Sequence, residues 1–486
     1  MPKAPAAHAA HAAHAALAAL TPSAAHSLAE QLAQRFAERI QQRVLAAGAR
    51  LPSVRGCAQQ YSVSPSTVVS AYDLLQAQGL VQARPQRGFF VRDISARSAR
   101  TELTASARRS ASPPAPVDAT ALIRSMFQVQ GGLPAPAMGT LPESWLDAHL
   151  LQRALRRVVA SPEAASSWLG YGDPAGDSQL RAALCRRLGD LGIHAPAGQI
   201  ITTVGATQGL DIVSRTLLRP GDAVLVDEPG WAVEFARLTR LGMRLLPVPR
   251  GVDGPDLAVM QALLQAHKPK LYVTVSVLHN PTGCSLSPAA AHQVLRLAET
   301  HDLTIVEDDT YAWLAPPHAT RLAQLDGLKR TVLVSGFSKI LAPQWRVGFV
   351  AASPELTERF IDTKLLSSLT TAAPLEQALA WCLNQGQLRR HADRVVAQLD
   401  AARARTVRLA HDLGCGFVTP PQGLFGWVDV GHDTERLAQK LLDAGWLTAP
   451  GTLFHATPRA TTLMRVNFAT AQDARFWCDL KRVIKD

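Results

Sequence analysis

Lys339 lies in SGFSKILAPQWRVGF, directly after an apolar run that reads as a buried strand. A lysine so placed can form a Schiff base with an aldehyde and afterwards shuttle protons. Asp308, in VEDDTY, ends the apolar run before it, and a carboxylate there could pair with a protonated ring nitrogen and keep the ring an electron sink. Tyr311, three residues on, and Asn280 in HNPTG are suited to hydrogen-bond a phenolic oxygen. The run Gly205-Ala206-Thr207-Gln208-Gly209 opens a helical pattern, and its backbone N–H groups, chiefly around Ala206, Thr207 and Gln208, could cradle a phosphate. Arg346, seven residues after the lysine, adds a charge-assisted contact, with Ser338 beside it. Trp231 in DEPGW could cover a ring face, and Arg465 in LMRVNFA could fork a carboxylate.

Singly these residues say little: a lone lysine is usually a surface group, Asp308 could serve a turn, and Trp231 could sit in a core. Together, in this order and each after a strand, they meet the needs of one cofactor, pyridoxal 5'-phosphate.

The elements that must position them are readable as well. The runs QIITTV, AVLVDEP, KLYVTVSV, LTIVEDD, TVLVSGF and RVGFVAA alternate with helix-periodic stretches, which predicts α/β architecture with a mostly parallel sheet. Nearer the N-terminus, Leu28, Leu32, Phe36, Ile40 and Val44 recur every four residues and predict an amphipathic helix closed by Gly48. Ser53 and Ser64 are placed to cap the next two helices, and GLVQARPQRGFFV reads as a hairpin. Helix, helix–turn–helix, hairpin is the order of a winged helix. Its recognition helix would start at Ser64-Pro65-Ser66-Thr67, where hydroxyls and the helix N-terminus face phosphates and base edges. The expected division is a disordered Ala/His tail over 1–20, a DNA-binding domain over 21–92, a Ser/Ala/Arg/Pro-rich linker over 93–125 and a cofactor domain over 126–486. The tail's His8, His11 and His14 could share a helix face, but no metal site is expected there.

Charge supports a polyanionic partner. Residues 1–124 carry fourteen Lys/Arg against six Asp/Glu, so eight of the chain's eleven net positive charges fall in its first quarter. With 47% hydrophobic and 18% charged residues the chain reads as globular. No apolar run is long enough to span a bilayer, and the N-terminus lacks the features of a signal peptide. The six scattered cysteines, with no CxxC pair, read as reduced thiols, so a cytoplasmic protein without membrane attachment is expected.

The stretch GARLPSVRGCAQQYSVSPSTVVSAYDLLQAQGLVQARPQRGFFV resembles the winged helix of the GntR family. That resemblance implies binding to double-stranded operator DNA through Arg50, Arg55, Ser64, Ser66 and Thr67, with Arg87 and Gly88 at the wing tip. Relatives usually carry Arg where this chain has Pro65. The lysine-centred set, with YGDPAGDSQLR at 171–181, resembles the fold-type I aminotransferases over about residues 126–486, with large and small domains. The fusion of the two resembles the MocR subfamily of bacterial transcriptional regulators. The resemblance implies a head-to-tail homodimer in which Tyr171 reaches the phosphate of the partner subunit. Gly336 stands where many relatives have a phosphate-binding serine, and the spacing from Asp308 to Tyr311 is that of true aminotransferases.

Three functions fit. The first is a transcriptional regulator whose aminotransferase-like domain senses an amino-acid or amine effector as an aldimine. The second is an active aminotransferase with an accessory DNA-binding domain. The third is a sensor of pyridoxal 5'-phosphate supply. The winged helix and long linker, which a metabolic transaminase does not need, favour regulation.

Overall fold

The computed structural model describes residues 27–41, 45, 48–84, 88–92, 134–162, 168–457 and 459–485. The tail, the whole of the linker, the end of the first predicted helix at Val44, and Arg87 lie outside the described residues. The chain divides into two compact units, Met1–Gly131 and Gly132–Asp486.

In the first unit, helices α1 (Leu28–Gln41), α2 (Val54–Tyr61) and α3 (Pro65–Ala77) precede an antiparallel hairpin of β1 (Val81–Arg84) and β2 (Gly88–Val91). Ser53 accepts from the Gly56 N–H and Ser64 from the Thr67 N–H, both at 3.1 Å, so each serine caps its helix. Pro65 takes a first-turn position of α3, where a missing N–H costs nothing and its fixed φ suits the helix. Leu32, Phe36, Tyr72, Leu75 and Val91 form the core, with Phe36 edge-on to Tyr72 at 5.7 Å.

The second unit is built on a seven-stranded sheet in the order β3-β9-β8-β7-β6-β4-β5. Its strands are β3 (Ile200–Thr203), β4 (Ala223–Glu228), β5 (Arg244–Pro249), β6 (Leu271–Thr274), β7 (Thr304–Asp308), β8 (Thr331–Gly336) and β9 (Gly348–Ala351). β4 to β8 run parallel, and β9 runs against both its neighbours. Helices cover both faces, so β3, β6 and β8 are buried along their whole length, as uninterrupted apolar runs require.

The α/β expectation holds, and each of the six predicted runs forms a strand. β5 has no counterpart among those runs: it is an edge strand with alternating burial, where Pro247 and Pro249 are tolerated. A second, antiparallel sheet has the order β10-β11-β13-β12, from β10 (Gly416–Phe417), β11 (Phe425–Asp429), β12 (Ala449–Pro450) and β13 (Leu463–Asn467). It carries its own core around Trp446, Phe476 and Trp477. The two sheets are tied where Glu228, at the end of β4, takes hydrogen bonds from His455 at 2.7 Å and the Ala456 N–H at 2.9 Å.

Candidate functional site

The candidate residues converge on the carboxyl ends of the parallel strands, the edge at which α/β sheets receive ligands. Asp308 is the last residue of β7, and Lys339 sits in the turn after β8. That turn is anchored from below, since His391 Nε2 lies 2.8 Å from the carbonyl oxygen of Ile340. Asp308 shares one cleft with Trp231, His279, Thr274, Asp227 and Glu234.

Burial raises the Asp308 carboxyl to about 6, against the amide and hydroxyl of Thr310, which both donate to it. Such a carboxylate gains most from a cationic neighbour. Burial, with help from the Arg465 charge, lowers the Lys339 ammonium to about 8, so a useful fraction is the nucleophilic free amine near neutral pH.

Asn280 ties two other candidates together. Its Oδ1 accepts from Arg465 at 2.8 Å, and it also bonds Tyr311, whose phenol burial pushes upward. Arg465 is buried, stacks over Phe425 at 4.4 Å and Phe454 at 5.0 Å, and is lowered to about 10 by loss of water. Its Nε has no partner among the described residues. A buried guanidinium with an unused donor on aromatic walls suits a planar carboxylate.

The candidate phosphate cradle is the start of helix α4 (Gly205–Leu217), whose first turn has no side-chain cap. Gln208 instead turns back to accept from the Val204 N–H, and its amide nitrogen donates to Ser368. Arg346 donates to the Val204 carbonyl at 2.9 Å and to Ser338 Oγ at 3.2 Å, which holds its charge beside the helix start. Gly205, at φ +77, and Gly348 permit this approach: a Cβ on Gly348 would stand 2.6 Å from the Gly205 carbonyl carbon. Gly336 packs here too, and a Cβ on it would meet the Ala206 nitrogen at 3.3 Å. The adjacent Ser335 is committed elsewhere, donating to the Asp309 carbonyl at 2.8 Å.

Tyr171 stands apart from this group, 87% exposed. In the first unit Arg50, Arg55, Ser64 and Ser66 are exposed and Thr67 half-buried, while a Cβ on Gly88 would lie 3.5 Å from the Arg50 guanidinium. Arg50 therefore neighbours the wing. The Ser64 hydroxyl is within 2.7 Å of both Ser66 Oγ and Thr67 Oγ1, so these hydroxyls bond one another as well as capping α3.

Sequence reasoning overlooked Thr310, His279 and Asn467. Asn467 had a signal, because it lies two residues after Arg465 on the same face of β13. It donates to the carbonyls of Met138 at 2.7 Å and Thr140 at 2.8 Å, fastening residues 134–141 over the site.

The arrangement fits pyridoxal 5'-phosphate: an orphaned buried Nε, an uncapped helix start and an acid raised by burial lie beside a lysine lowered by it.

Residues 141–476 match the family Aminotransferase class I and II, and residues 28–91 match the Bacterial regulatory proteins, gntR family. The HTH-type transcriptional regulator YjiR of Escherichia coli is 29% identical over 467 residues, 91% of this chain and 95% of the relative. The probable rhizopine catabolism regulatory protein MocR of Rhizobium meliloti is 29% identical over 426 residues, 84% of this chain and 81% of the relative. Among solved structures, LysN, the α-aminoadipate aminotransferase of Thermus thermophilus in complex with N-(5'-phosphopyridoxyl)-L-leucine, shares the fold. It superposes at TM-score 0.68 and 23% identity over 75% of this chain and 94% of its own. The kynurenine aminotransferase of Pyrococcus horikoshii gives TM-score 0.68 at 25% identity, over 75% and 93%. No described helix is long and apolar enough to cross a membrane. The chain belongs to the class I and II aminotransferase family and, carrying that domain behind a GntR-type helix–turn–helix region, it matches the MocR-type transcriptional regulators.

Proposed function

We propose that this regulator holds pyridoxal 5'-phosphate on Lys339 and changes its grip on operator DNA when an effector bearing a primary amine and a carboxylate enters the site. The carrying observation is the convergence of Lys339, Asp308, Asn280 and Arg465 in one unit of a chain whose other unit is a winged helix. When bound, the cofactor supplies an aldehyde that condenses with amines and a ring that withdraws electrons.

The chain's own residues divide the rest of the work. Asp308 holds the proton on the ring nitrogen, and Trp231 covers a ring face. Asn280 and Tyr311 bond the phenolic oxygen. The amides of Ala206 and Thr207, with Gln208, Ser338 and Arg346, receive the phosphate. Arg465 takes the effector carboxylate. In the winged helix Arg50, Arg55, Ser64, Ser66 and Thr67, with Arg87 and Gly88 of the wing, meet the DNA.

The working unit is a cytoplasmic head-to-tail homodimer. Tyr171 and Leu169 are 87% and 91% exposed, Gly172 next to Tyr171 stands beside Thr370, and the segment leading to Thr370 carries the exposed Leu366 and Leu369 and Ser368, which bonds Gln208. So exposed an apolar rim beside a phosphate site suits a partner subunit that brings its own Tyr171 to the phosphate. The intact set of Lys339, Asp308 and Arg465 also supports a second reading, an aminotransferase activity beside the regulatory one.

The deciding experiment titrates the full-length protein on its own upstream DNA, with and without pyridoxal 5'-phosphate and a panel of amino acids. A regulator changes affinity with ligand. Repeated turnover of amino donor and 2-oxo acid at ordinary enzymatic rates, with DNA affinity unmoved by any ligand, would overturn this reading.

A further inference from the structure

Residues 134–141 form a strap, and nearly everything they offer the site is backbone carbonyl. The carbonyl of Gly139 accepts from Lys339 Nζ at 2.9 Å, and that of Ala137 from Arg465 at 2.7 Å. Those two side chains are the ones proposed above to meet cofactor and carboxylate. Three more of the strap's carbonyls are held by one residue. Asn467 Nδ2 donates to Met138 and Thr140, and the Asn467 N–H donates to Pro136 at 2.8 Å. Asn467 is fully buried, and its Oδ1 is fixed by the Ala469 N–H at 2.9 Å. A last bond runs from the Leu447 N–H to Pro134 at 3.2 Å. In sequence, Pro134 lies just past the boundary between the two units.

We propose that Asn467 is a positioning residue that seats this strap across Lys339 and Arg465, and that ligand unseats it. Occupancy of the site is thereby passed to the chain leading to the DNA-binding unit. This deepens the proposed function and rests on it.

The physical basis is competition for donors. A carboxylate brings full charge and two acceptor oxygens to Arg465 where Ala137 brings one neutral oxygen, and a bidentate ion pair is the stronger partner for a guanidinium. Condensation of the Lys339 amine with an aldehyde carbon makes a C=N bond, releases one water and leaves the nitrogen at most one N–H where the ammonium had three, so the bond to Gly139 is weakened. Capture of an aldehyde thus weakens the Gly139 bond and arrival of a carboxylate the Ala137 bond, and in each case more of the strap is left to the bonds made by Asn467 and Leu447. A ligand that contacts the two states of the strap differently has the property needed to shift between them.

Two backbone amides report on the strap from outside it, those of Leu447 and Asn467, because both are bonded to its carbonyls. Hydrogen exchange at these amides should be followed by mass spectrometry in the full-length protein. The probes are pyridoxamine 5'-phosphate, which lacks a carboxylate, and N-(5'-phosphopyridoxyl)-glycine, which carries the smallest one. The glycine adduct should speed exchange at both amides at least tenfold, and pyridoxamine 5'-phosphate should do so much less. Asn467→Ala should exchange fast without ligand, and its DNA affinity should no longer respond to the adduct. Should the adduct bind, as its co-eluting absorbance would reveal, and leave exchange unchanged or slower, the strap relay is wrong while the cofactor site stands. A full DNA response in Asn467→Ala would equally overturn it. Failure of the adduct to bind would bring down the proposed function and this inference together. The exchange measurement on the unmodified chain needs no variant to fold.

Discussion

Arg465 and Asn280, 185 residues apart in sequence, share a 2.8 Å hydrogen bond across the boundary between the two sheets. Asn280 follows β6 of the large sheet, and Arg465 lies on β13 of the small one. The pair makes the proposed carboxylate grip and the proposed ring-oxygen grip parts of one unit. Loading either group reaches the other within one bond, the kind of linkage through which a ligand signal is transmitted.

Lys339 should be the residue that captures the cofactor. Borohydride reduction of protein loaded with pyridoxal 5'-phosphate, followed by peptide mapping, should find the pyridoxyl group on Lys339. The rate of capture, read from the visible absorbance, should rise with pH and level off above about 8, where the buried ammonium has lost its proton. Burial is the larger cause of that low value and the Arg465 charge the next, so Arg465→Ala should move the midpoint to higher pH. A label on another lysine would refute the assignment.

Asp308 should cost stability when the cofactor is absent. Its carboxyl is raised from 3.8 to about 6 by burial, so the folded chain binds a proton more tightly than the unfolded one. Stability from this group is therefore present at low pH and lost as pH rises through about 4 to 6, for a loss on the order of 3 kcal/mol. Asp308→Asn should make the cofactor-free protein more stable than wild type at pH 8 by about 1–3 kcal/mol, while weakening retention of the cofactor. Thermal melts at pH 4 and pH 8 read the first effect and absorbance after dialysis the second. Glu307, raised to about 7, contributes the same trend to both proteins and cancels in the difference. Equal melting of the two proteins at both pH values would contradict the account.

The winged helix should bind through phosphate charge. Affinity for the upstream region should fall steeply with salt, and Arg55→Ala, Arg50→Ala and Arg87→Ala should each flatten the slope of log K against log salt by about one. Ser66→Ala should change affinity less, because that hydroxyl already has Ser64 as a partner. A fragment beginning at residue 132 that shifts DNA as well as the full chain would defeat the assignment.

Dimerisation should depend on the rim beside the phosphate cradle. Leu369→Asp or Tyr171→Asp should shift sedimentation toward the monomer, by a tenfold or larger rise in the dissociation constant, with Tyr171→Asp also loosening the cofactor. Sedimentation of the unmodified chain as a monomer at micromolar concentration would remove the basis for both.

The parallel strands were legible because burial on both faces forces continuous apolar runs, and the reactive residues stand at their ends. β5 was hidden by Pro247 and Pro249, which an edge strand accepts and a central strand would not. The small sheet was hidden because β10 and β12 are two residues long, too short to show a period. Ser335 is the nearest substitute for the serine absent at 336, but its hydroxyl is spent on the Asp309 carbonyl, a fact no pattern discloses. The strap was invisible for a related reason, since what it presents to Arg465, Asn467 and Lys339 is main chain.

That last feature bears on how such a protein can change over generations. Pro134, Pro136, Ala137, Met138, Gly139 and Thr140 all take part through carbonyl oxygens, which every amino acid possesses. Selection can hardly act on their side chains through these bonds, so the strap's letters are free to drift. The side-chain donor opposite them has no such freedom, because the Asn467 amide bonds two carbonyls at once. Descendants of this chain would be expected to vary opposite Asn467 while keeping Asn467 itself.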